Sequence, residues 1–258
     1  KTISYDRNNR LSSYDGWSYS YFKNRLSSIS KTISMNNTKT RKVLIKEFFS
    51  YSFSYNAFGQ RIRKKYTHEN FNNVQLLDYL TSEIHDYEYD SSSRLLKEDI
   101  NLVYSDNTSY SKTIVFIYEG DEIIGFRFTS NNVTNTYYYD KSPLGDVLHI
   151  IDVNGNVVAN YQYDAFGNCD IVNSSNNEVA TYNPIRYRSY YYDENIKLYY
   201  LNSRYYNPLW RRFISPDSVD YLDPSSINGL NLYAYCGNDP INKYDPSGHS
   251  AILIGMLI

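Results

Sequence analysis

Cysteine is scarce in this sequence, neither sign of charge dominates, and long apolar runs are missing. The two cysteines among 258 residues are too few for a small domain held by disulfides, and they lack the spacing of metal ligands. Lysine and arginine number 26 against 28 aspartates and glutamates, which leaves no basic surface of the kind that nucleic acids require. No stretch reaches the ~20 apolar residues of a membrane span. We therefore expect neither a nucleic-acid partner nor a membrane span in this chain.

Tyrosine, by contrast, is present in excess. There are 31 tyrosines against 11 phenylalanines and 2 tryptophans. The tyrosine ring is apolar along its body and polar at its tip, which suits a half-buried strand face, and tyrosine has a high β-propensity. The composition therefore predicts sheet rather than helix.

A degenerate repeat runs through the first part of the chain. Three copies share an aromatic start, a polar turn and a restart at arginine and leucine: Tyr5–Leu11, Tyr21–Leu26 and Tyr89–Leu95. Two further copies carry glycine in the turn, at Tyr55–Arg61 and Tyr163–Asn168. Gly59 and Gly167 supply the positive φ that a hairpin turn requires, and the aspartate or asparagine after the tyrosine can bond the backbone two residues on. The repeat predicts β-hairpins.

Between the turns, side chains alternate with a period of two. Ile114, Phe116 and Tyr118 fall on one face of such a segment and Val115 on the other, which is the period of a strand. The segment 71–87 differs because its apolar spacing also suits a helix. A long irregular hairpin is favoured there, and a helix is the alternative. The fold class predicted for the whole chain is all-β.

The last third of the chain carries a more specific pattern. Residues 183–217 read NPIRYRSYYYDENIKLYYLNSRYYNPLWRRFISPD, and residues 227–249 read INGLNLYAYCGNDPINKYDPSGH. This part resembles the RHS repeat-associated core domain, and the hairpins before it resemble the YD repeats that accompany that domain. The resemblance implies a spiral of β-hairpin YD/RHS repeats over 1–182, forming part of a hollow shell that the core segment over 183–249 closes. Residues 250–258 would then begin a C-terminal variable region.

The function that this resemblance implies is encapsulation. In the family, such shells enclose a C-terminal polymorphic toxin in secreted bacterial proteins of intercellular competition. The partners of this chain would be its own C-terminal toxin domain and the N-terminal remainder of the shell. The sequence opens at Lys1 without an initiator methionine or signal peptide, which is typical of a piece of a longer protein. The alternative is a cell-surface adhesion or carbohydrate-binding YD-repeat module without cargo, with a glycan or receptor as its partner.

The resemblance also implies a site of self-cleavage. Cleaving members of the family carry two aspartates, similar to an aspartyl protease dyad, and cut after the second motif. That motif matches Asp245–His249, with histidine where those members usually carry leucine, so the implied cleavage site is His249. The first aspartate matches Asp217, which lies 28 residues before Asp245. Asp223, 22 residues before Asp245, is the alternative.

Two neighbouring carboxyl groups suit this chemistry because they cannot both ionise easily. One holds a proton and acts as an acid while the other activates water. Arg212, or its neighbour Arg211, could hold one aspartate charged or position the scissile carbonyl. The competing interpretation is structural, because Asp-Pro-Ser-Gly is a common turn sequence in which aspartate bonds its own backbone. Any catalysis would be a single intramolecular turnover, or cleavage of other proteins if the site acted in trans.

No cofactor and no metal are predicted. The aspartates at 217, 220, 223, 239 and 245 could gather around a calcium ion, but their spacing fits no EF-hand loop and turn roles are favoured. The four histidines lack paired metal spacing. Tyrosine runs such as Tyr190–Tyr192 could stack on sugars, yet strand alternation turns half of each run inward and favours a shell-lining or core role. Arg186, Arg188 and Arg204 are predicted to be cation–π and cross-strand partners of these rings.

Overall fold

The computed structural model describes residues 2–36, 43–70, 79–221, 229–249 and 251–253, and most of its regular structure is β-strand. The all-β prediction is confirmed. In chain order the strands are β1 (Ile3–Tyr5), β2 (Leu11–Tyr14), β3 (Trp17–Phe22), β4 (Arg25–Asn36), β5 (Val43–Tyr55), β6 (Arg61–Asn70), β7 (Leu80–Tyr89), β8 (Leu95–Tyr104), β9 (Ser109–Glu119), β10 (Glu122–Ser130), β11 (Val133–Lys141), β12 (Val147–Asp152), β13 (Val157–Tyr163), β14 (Cys169–Ser174), β15 (Tyr191–Asp193), β16 (Leu198–Leu201), β17 (Arg204–Asn207), β18 (Arg212–Phe213), β19 (Lys243–Tyr244) and β20 (Ile252–Leu253). The described residues also include the helix α1 (Asn177–Tyr182) and 3₁₀ turns at Tyr187–Ser189, Val219–Tyr221 and Cys236–Asn238.

Strands β1 to β14 form an antiparallel sheet in which the spatial order follows the chain order. Consecutive strands are therefore neighbours, as the hairpin repeat predicts. The strand register often shifts just before a turn, at Ser54/Tyr55, Glu88/Tyr89 and Asp140/Lys141. A bulge at this place bends the strand and increases its local twist.

Several of the longer turns between these strands share one hydrogen-bond pattern. In the turn Asp164–Asn168, Oδ1 of Asp164 accepts the N–H groups of Phe166 at 2.8 Å and of Asn168 at 3.0 Å. Gly167 in this turn has a φ of +86°. The turn Asn56–Gln60 repeats the pattern, with Gly59 at a φ of +83°. The roles predicted for the aspartate or asparagine and for the glycine are confirmed.

The chain divides into two compact units, of which the first runs to Val115 and includes Thr129–Thr134. Its core contains buried apolar residues from successive strands, among them Leu26, Ile29, Phe53, Tyr87, Ile100, Leu102 and Ile114. The imidazole of His85 is buried between the carboxylates of Glu83 and Glu98, at 2.9 and 2.5 Å. Leu80–Tyr89 is strand β7, so the second half of the ambiguous segment is not helical. Residues 71–78 lie outside the described residues.

The second unit comprises Phe116–Phe128 and the chain from Asn135 onward. After β14 the chain forms α1, a helix that the sequence analysis did not predict. The side chain of Asn176 caps this helix by accepting the N–H of Val179 at 3.1 Å, and Glu178 lies in its first turn. Strands β15 to β18 then form a second antiparallel sheet, and β19 pairs with β20.

An aromatic cluster forms the core around this second sheet. Its buried members are Tyr187, Tyr190, Tyr192, Tyr199, Leu201, Tyr206, Phe213, Tyr235 and Cys236, with Tyr163 and Phe166 packed against them. The core role predicted for the tyrosine runs is therefore confirmed. The guanidinium groups of Arg186 and Arg188 lie 4.7 and 5.1 Å from the ring centres of Tyr192 and Tyr187, which confirms their predicted stacking.

Three tyrosines of this cluster bind the turn between β13 and β14. The hydroxyl of Tyr187 donates to the carbonyl of Ala165 at 2.9 Å. In the same way, Tyr206 donates to Phe166 at 2.7 Å, and Tyr199 donates to Gly167 at 2.8 Å. Because three successive carbonyls of one turn are bound, the segment after residue 183 is fixed to the last hairpin of the sheet within this unit.

Candidate active site around Arg204

Arg204 begins strand β17 and lies at the centre of the candidate site. Its side chain is 5% exposed, and its guanidinium lies over the ring of Phe213, 3.7 Å from the ring centre. The Nη2 atom is 2.6 Å from Oδ2 of Asp217 and 4.0 Å from Oδ2 of Asp245. One guanidinium nitrogen therefore faces both aspartates that the sequence singled out.

The turn that joins β16 to β17 positions the loop of the second motif. The side chains of Asn202 and Ser203 donate to the carbonyls of Pro246 and Ser247, at 3.3 and 2.7 Å. Nε of Arg204 donates to the carbonyl of the next residue, Gly248. Three consecutive side chains thus bind three consecutive carbonyls of the loop.

Gly248 is required at its position in this loop. Its φ is +77°, and a Cβ atom there would lie 2.6 Å from the carbonyl oxygen of Leu201 and 2.5 Å from Oγ of Ser203. A larger residue would push the loop away from the β16–β17 turn. The glycine therefore allows the backbone beside His249 to approach Arg204.

Asp245 is buried and organises the same loop. Its Oδ1 accepts the N–H groups of Ser247 at 3.3 Å, Gly248 at 2.8 Å and His249 at 3.1 Å. Its own N–H donates to the hydroxyl of Tyr190 at 2.8 Å. The turn role that competes with catalysis in the sequence is therefore present, and Oδ2 of the same carboxyl group faces Arg204.

Asp217 binds two side chains, one through each carboxylate oxygen. Oδ2 pairs with Arg204, and Oδ1 lies 2.6 Å from Nδ1 of His249. The backbone holds the residue in place, since its N–H donates to the carbonyl of Leu232 at 2.9 Å. Arg204 binds the same carbonyl through Nη1, also at 2.9 Å, which ties the arginine and the aspartate to one point of the chain.

Burial changes the acid–base properties of this group of residues. It lowers the pKa of Arg204 to about 10, although Asp217 and Asp245 act in the opposite direction. It raises the pKa of Asp245, against the lowering effects of Arg204 and of the loop N–H groups. A carboxyl group that retains its proton more readily than usual can act as an acid next to a second carboxylate.

The arginine that faces the aspartates in the structure is Arg204, whereas the sequence analysis named Arg212 or Arg211. The guanidinium of Arg212 lies over the ring of Tyr233 at 4.1 Å, and that of Arg211 lies over Phe166 at 4.7 Å. Arg204 reaches the site from another strand, and no local sequence signal relates it to an aspartate 13 residues further on. Asp223, the alternative partner of Asp245, lies outside the described residues.

The other aspartates of this segment have turn contacts. Asp220 accepts the hydroxyl of Ser218 at 2.8 Å, and Asp239 accepts the amide of Asn242 at 3.0 Å. Among the described residues, no group of three or more histidine, cysteine, aspartate or glutamate side chains is arranged to hold a metal ion. The same part of the chain contains no helix that is both long enough and apolar enough to cross a membrane.

The chain is similar in sequence to toxin and nuclease proteins, and it shares its fold with a solved structure. The tRNA3(Ser)-specific nuclease WapA of Bacillus spizizenii is 31% identical over 255 residues, which is 98% of this chain and 9% of that protein. The toxin protein Tse5 of Pseudomonas aeruginosa is 42% identical over 65 residues, or 25% of this chain and 5% of Tse5. The crystal structure of TcdB2-TccC3-TEV shares the fold, with a TM-score of 0.69 at 21% identity over 95% of this chain and 11% of that one.

The length of these matches limits what they show. The chain spans about a tenth of WapA and of the TcdB2-TccC3-TEV chain that it matches. No protein-family model matches the sequence. The comparisons therefore show a likeness in sequence to parts of larger toxin and nuclease proteins and a fold shared with part of a larger solved chain.

Proposed function

We propose that this chain is part of the β-sheet shell of a secreted bacterial toxin-delivery protein, and that it cuts its own backbone once, after His249, to free a C-terminal toxin domain. Residues 1–182 would form part of the wall of the shell, and residues 183–249 would close the shell. Residues 250–258 would leave with the toxin. The observation that carries the proposal is the position of Arg204. It faces both aspartates and binds the carbonyl of Gly248, directly before the residue whose bond is cut.

The toxin relatives support the delivery part of the proposal. WapA and Tse5 are named as a nuclease and a toxin protein, and this chain matches only a small fraction of each. A segment that is shared between toxins of different kinds is expected to serve them in a common way. Enclosing the toxin and releasing it is such a common role, and it makes the toxin domain and the remainder of the shell the partners of this chain.

The chemistry assigned to the site is hydrolysis of one peptide bond. Asp217 takes a proton from a water molecule, whose oxygen attacks the carbonyl carbon of His249. Asp245, with its raised pKa, gives a proton to the carbonyl oxygen. The tetrahedral intermediate then collapses: the bond between His249 and the nitrogen of Ser250 breaks, that nitrogen takes the proton that Asp217 had accepted, and a hydroxyl of the intermediate returns a proton to Asp245. Arg204 would hold the loop and the negative charge of Asp217 during these steps.

The test is the mass of the purified chain after incubation. Cleavage would yield a fragment that ends at His249 and a nine-residue peptide that covers 250–258. We expect Asp245→Asn and Asp217→Asn to abolish both products. Asp220→Asn is the matched control, because this exposed aspartate belongs to the same segment and binds only locally to Ser218 in the contacts described above.

The rate distinguishes cleavage within one molecule from cleavage in trans. An intramolecular reaction has a first-order rate that does not change with protein concentration. If the unmutated chain stays intact under all conditions, the self-cleavage proposal is wrong. The fold and the relationship to toxin proteins would be unaffected.

A further inference from the structure

The side chain of His249 contacts the candidate site that would cut the chain beside it. Its Nδ1 lies 2.6 Å from Oδ1 of Asp217, and its ring stacks on that of Tyr221 with centres 4.8 Å apart and planes only 7° from parallel. The histidine side chain is 34% exposed, whereas that of Asp217 is 5% exposed. The imidazole therefore lies between a buried carboxylate and solvent.

The groups that face this histidine come from several parts of the second unit. Asp217 contacts its ring nitrogen, and Tyr221 covers one face of the ring. Asp245 accepts the histidine N–H through Oδ1. Arg204 lies beyond Asp217, on the opposite carboxylate oxygen. Both oxygens of Asp217 are thus bound by cationic or potentially cationic side chains.

This arrangement conflicts with the role of Asp217 as a base. A water molecule that Asp217 activates has to lie beside one of its oxygens, and His249 competes for Oδ1, which also accepts the N–H of Ser218 at 2.8 Å. A charged imidazolium binds a carboxylate through a charge-assisted hydrogen bond, which is roughly twice as strong as a bond between neutral groups. The competition is therefore strongest when the histidine carries a proton.

We propose that His249 is a residue that controls the cut beside it: the protonated ring holds Asp217 and blocks cleavage, and loss of that proton to solvent releases the carboxylate. This inference rests on the proposed self-cleavage and adds its regulation. Histidine is the side chain that changes charge between about pH 5 and 8. Cleavage would therefore be slow in acid and faster near neutrality. A leucine at position 249 would have no ring nitrogen with which to bind Asp217.

The experiment follows the release of the 250–258 peptide by mass spectrometry between pH 5 and pH 8.5 in the unmutated chain, in His249→Leu and in His249→Phe. Phenylalanine keeps an aromatic ring to stack on Tyr221 but has no ring nitrogen. In the unmutated chain we expect the rate to fall about tenfold for each pH unit below the midpoint, as for one controlling proton. In both variants this fall at acid pH should disappear. Circular dichroism of each variant verifies that it is folded.

The possible outcomes separate the two proposals. Cleavage of His249→Leu at an acid pH at which the unmutated chain stays intact, with both cut near neutrality, would support the control by histidine. Equal pH profiles in the unmutated chain and in both variants would overturn it while self-cleavage stands. If neither the unmutated chain nor a variant is cut at any pH, both proposals are wrong.

Discussion

At the scale of single residues, the two aspartates beside Arg204 differ in their surroundings. Asp217 is paired directly with the guanidinium, whereas Oδ2 of Asp245 is 4.0 Å from it. Asp245 is buried, with 2% of its surface exposed, and burial raises the pKa of its carboxyl group. A buried carboxyl group with a raised pKa is useful as an acid and costs stability once it ionises.

We predict that Asp245 makes the fold less stable as pH rises. Because its pKa is higher in the folded chain than in the unfolded chain, the folded state binds this proton more tightly. The stabilisation is present in acid and is lost as the pH rises through the raised pKa. Asp245→Asn cannot lose a proton, so its free energy of unfolding relative to the unmutated chain should increase from pH 4 to pH 7.

Urea unfolding at pH 4, 5.5 and 7 measures this difference. The asparagine side chain in this variant retains a carbonyl that can accept the loop N–H groups, so the loop contacts do not need to change. Asp220→Asn, at an exposed aspartate of the same unit, controls for the removal of one negative charge. A constant stability difference between Asp245→Asn and the unmutated chain at all three pH values would contradict the prediction.

At the scale of the element, two hairpin turns of the second unit have the same backbone but different neighbours. Gly155 and Gly167 have φ values of +85° and +86°, and each N–H donates to the carbonyl of the turn's first aspartate at 3.0 Å. A Cβ atom on Gly155 would have nothing within 4 Å. A Cβ atom on Gly167 would lie 2.6 Å from Cδ1 of Tyr187. Substitutions at these two glycines therefore separate the cost of backbone strain from the cost of displacing a packed side chain.

We predict that Gly155→Ala costs about 1 kcal/mol of unfolding free energy, because alanine at a positive φ is strained. Gly167→Ala should cost roughly 2 kcal/mol more, because the added methyl group also displaces the buried ring of Tyr187. Urea unfolding at neutral pH measures both values. Equal losses of unfolding free energy in the two variants would show that a methyl group at Gly167 does not displace the ring of Tyr187.

In these turns and strands, the features that depend on residues close together in the chain can be predicted from the sequence. Turns such as Asp164–Asn168 are predictable because the aspartate, the glycine and their hydrogen bonds lie within five residues. Alternation is predictable for the same reason: on β9, Ile114 is buried and Val115 is 36% exposed. The short helix α1 was missed because it has only six residues and little apolar periodicity, although Asn176 is a common capping residue.

The candidate site depends on contacts over longer distances in the chain. Arg204 binds residues 13 and 44 positions further on, and no period or turn pattern relates such positions. Sequence proximity favoured Arg212, which lies five residues before Asp217, but strand pairing directs that side chain toward Tyr233. The two aspartates could be named in advance because the motif resemblance singled them out. The histidine contact could not, because it depends on the rotamer of a side chain in a loop.

At the scale of the whole molecule, a sheet of hairpins faces the difficulty that each hairpin buries little surface alone. In the second unit, the segment after residue 183 supplies the missing contacts for the last hairpin. Hydroxyls of Tyr187, Tyr199 and Tyr206 bind the turn between β13 and β14, and their rings form the core of the next sheet. Burial raises the pKa of Tyr199 well above its usual value, so its hydroxyl remains a donor at any physiological pH.

These contacts predict that β13 and the segment that carries the candidate site unfold together. In the double variant Tyr199→Phe with Tyr206→Phe, the carbonyls of Gly167 and Phe166 lose these donors, which should cost about 2 kcal/mol. Native-state hydrogen exchange should show the loss of protection in β13 (Val157–Tyr163) as well as in β16 (Leu198–Leu201). Tyr138→Phe, at a tyrosine of β11 that is 42% exposed, is the control and should change neither strand. If protection falls only in β16, the segment after residue 183 unfolds independently of the last hairpin, which would contradict the prediction.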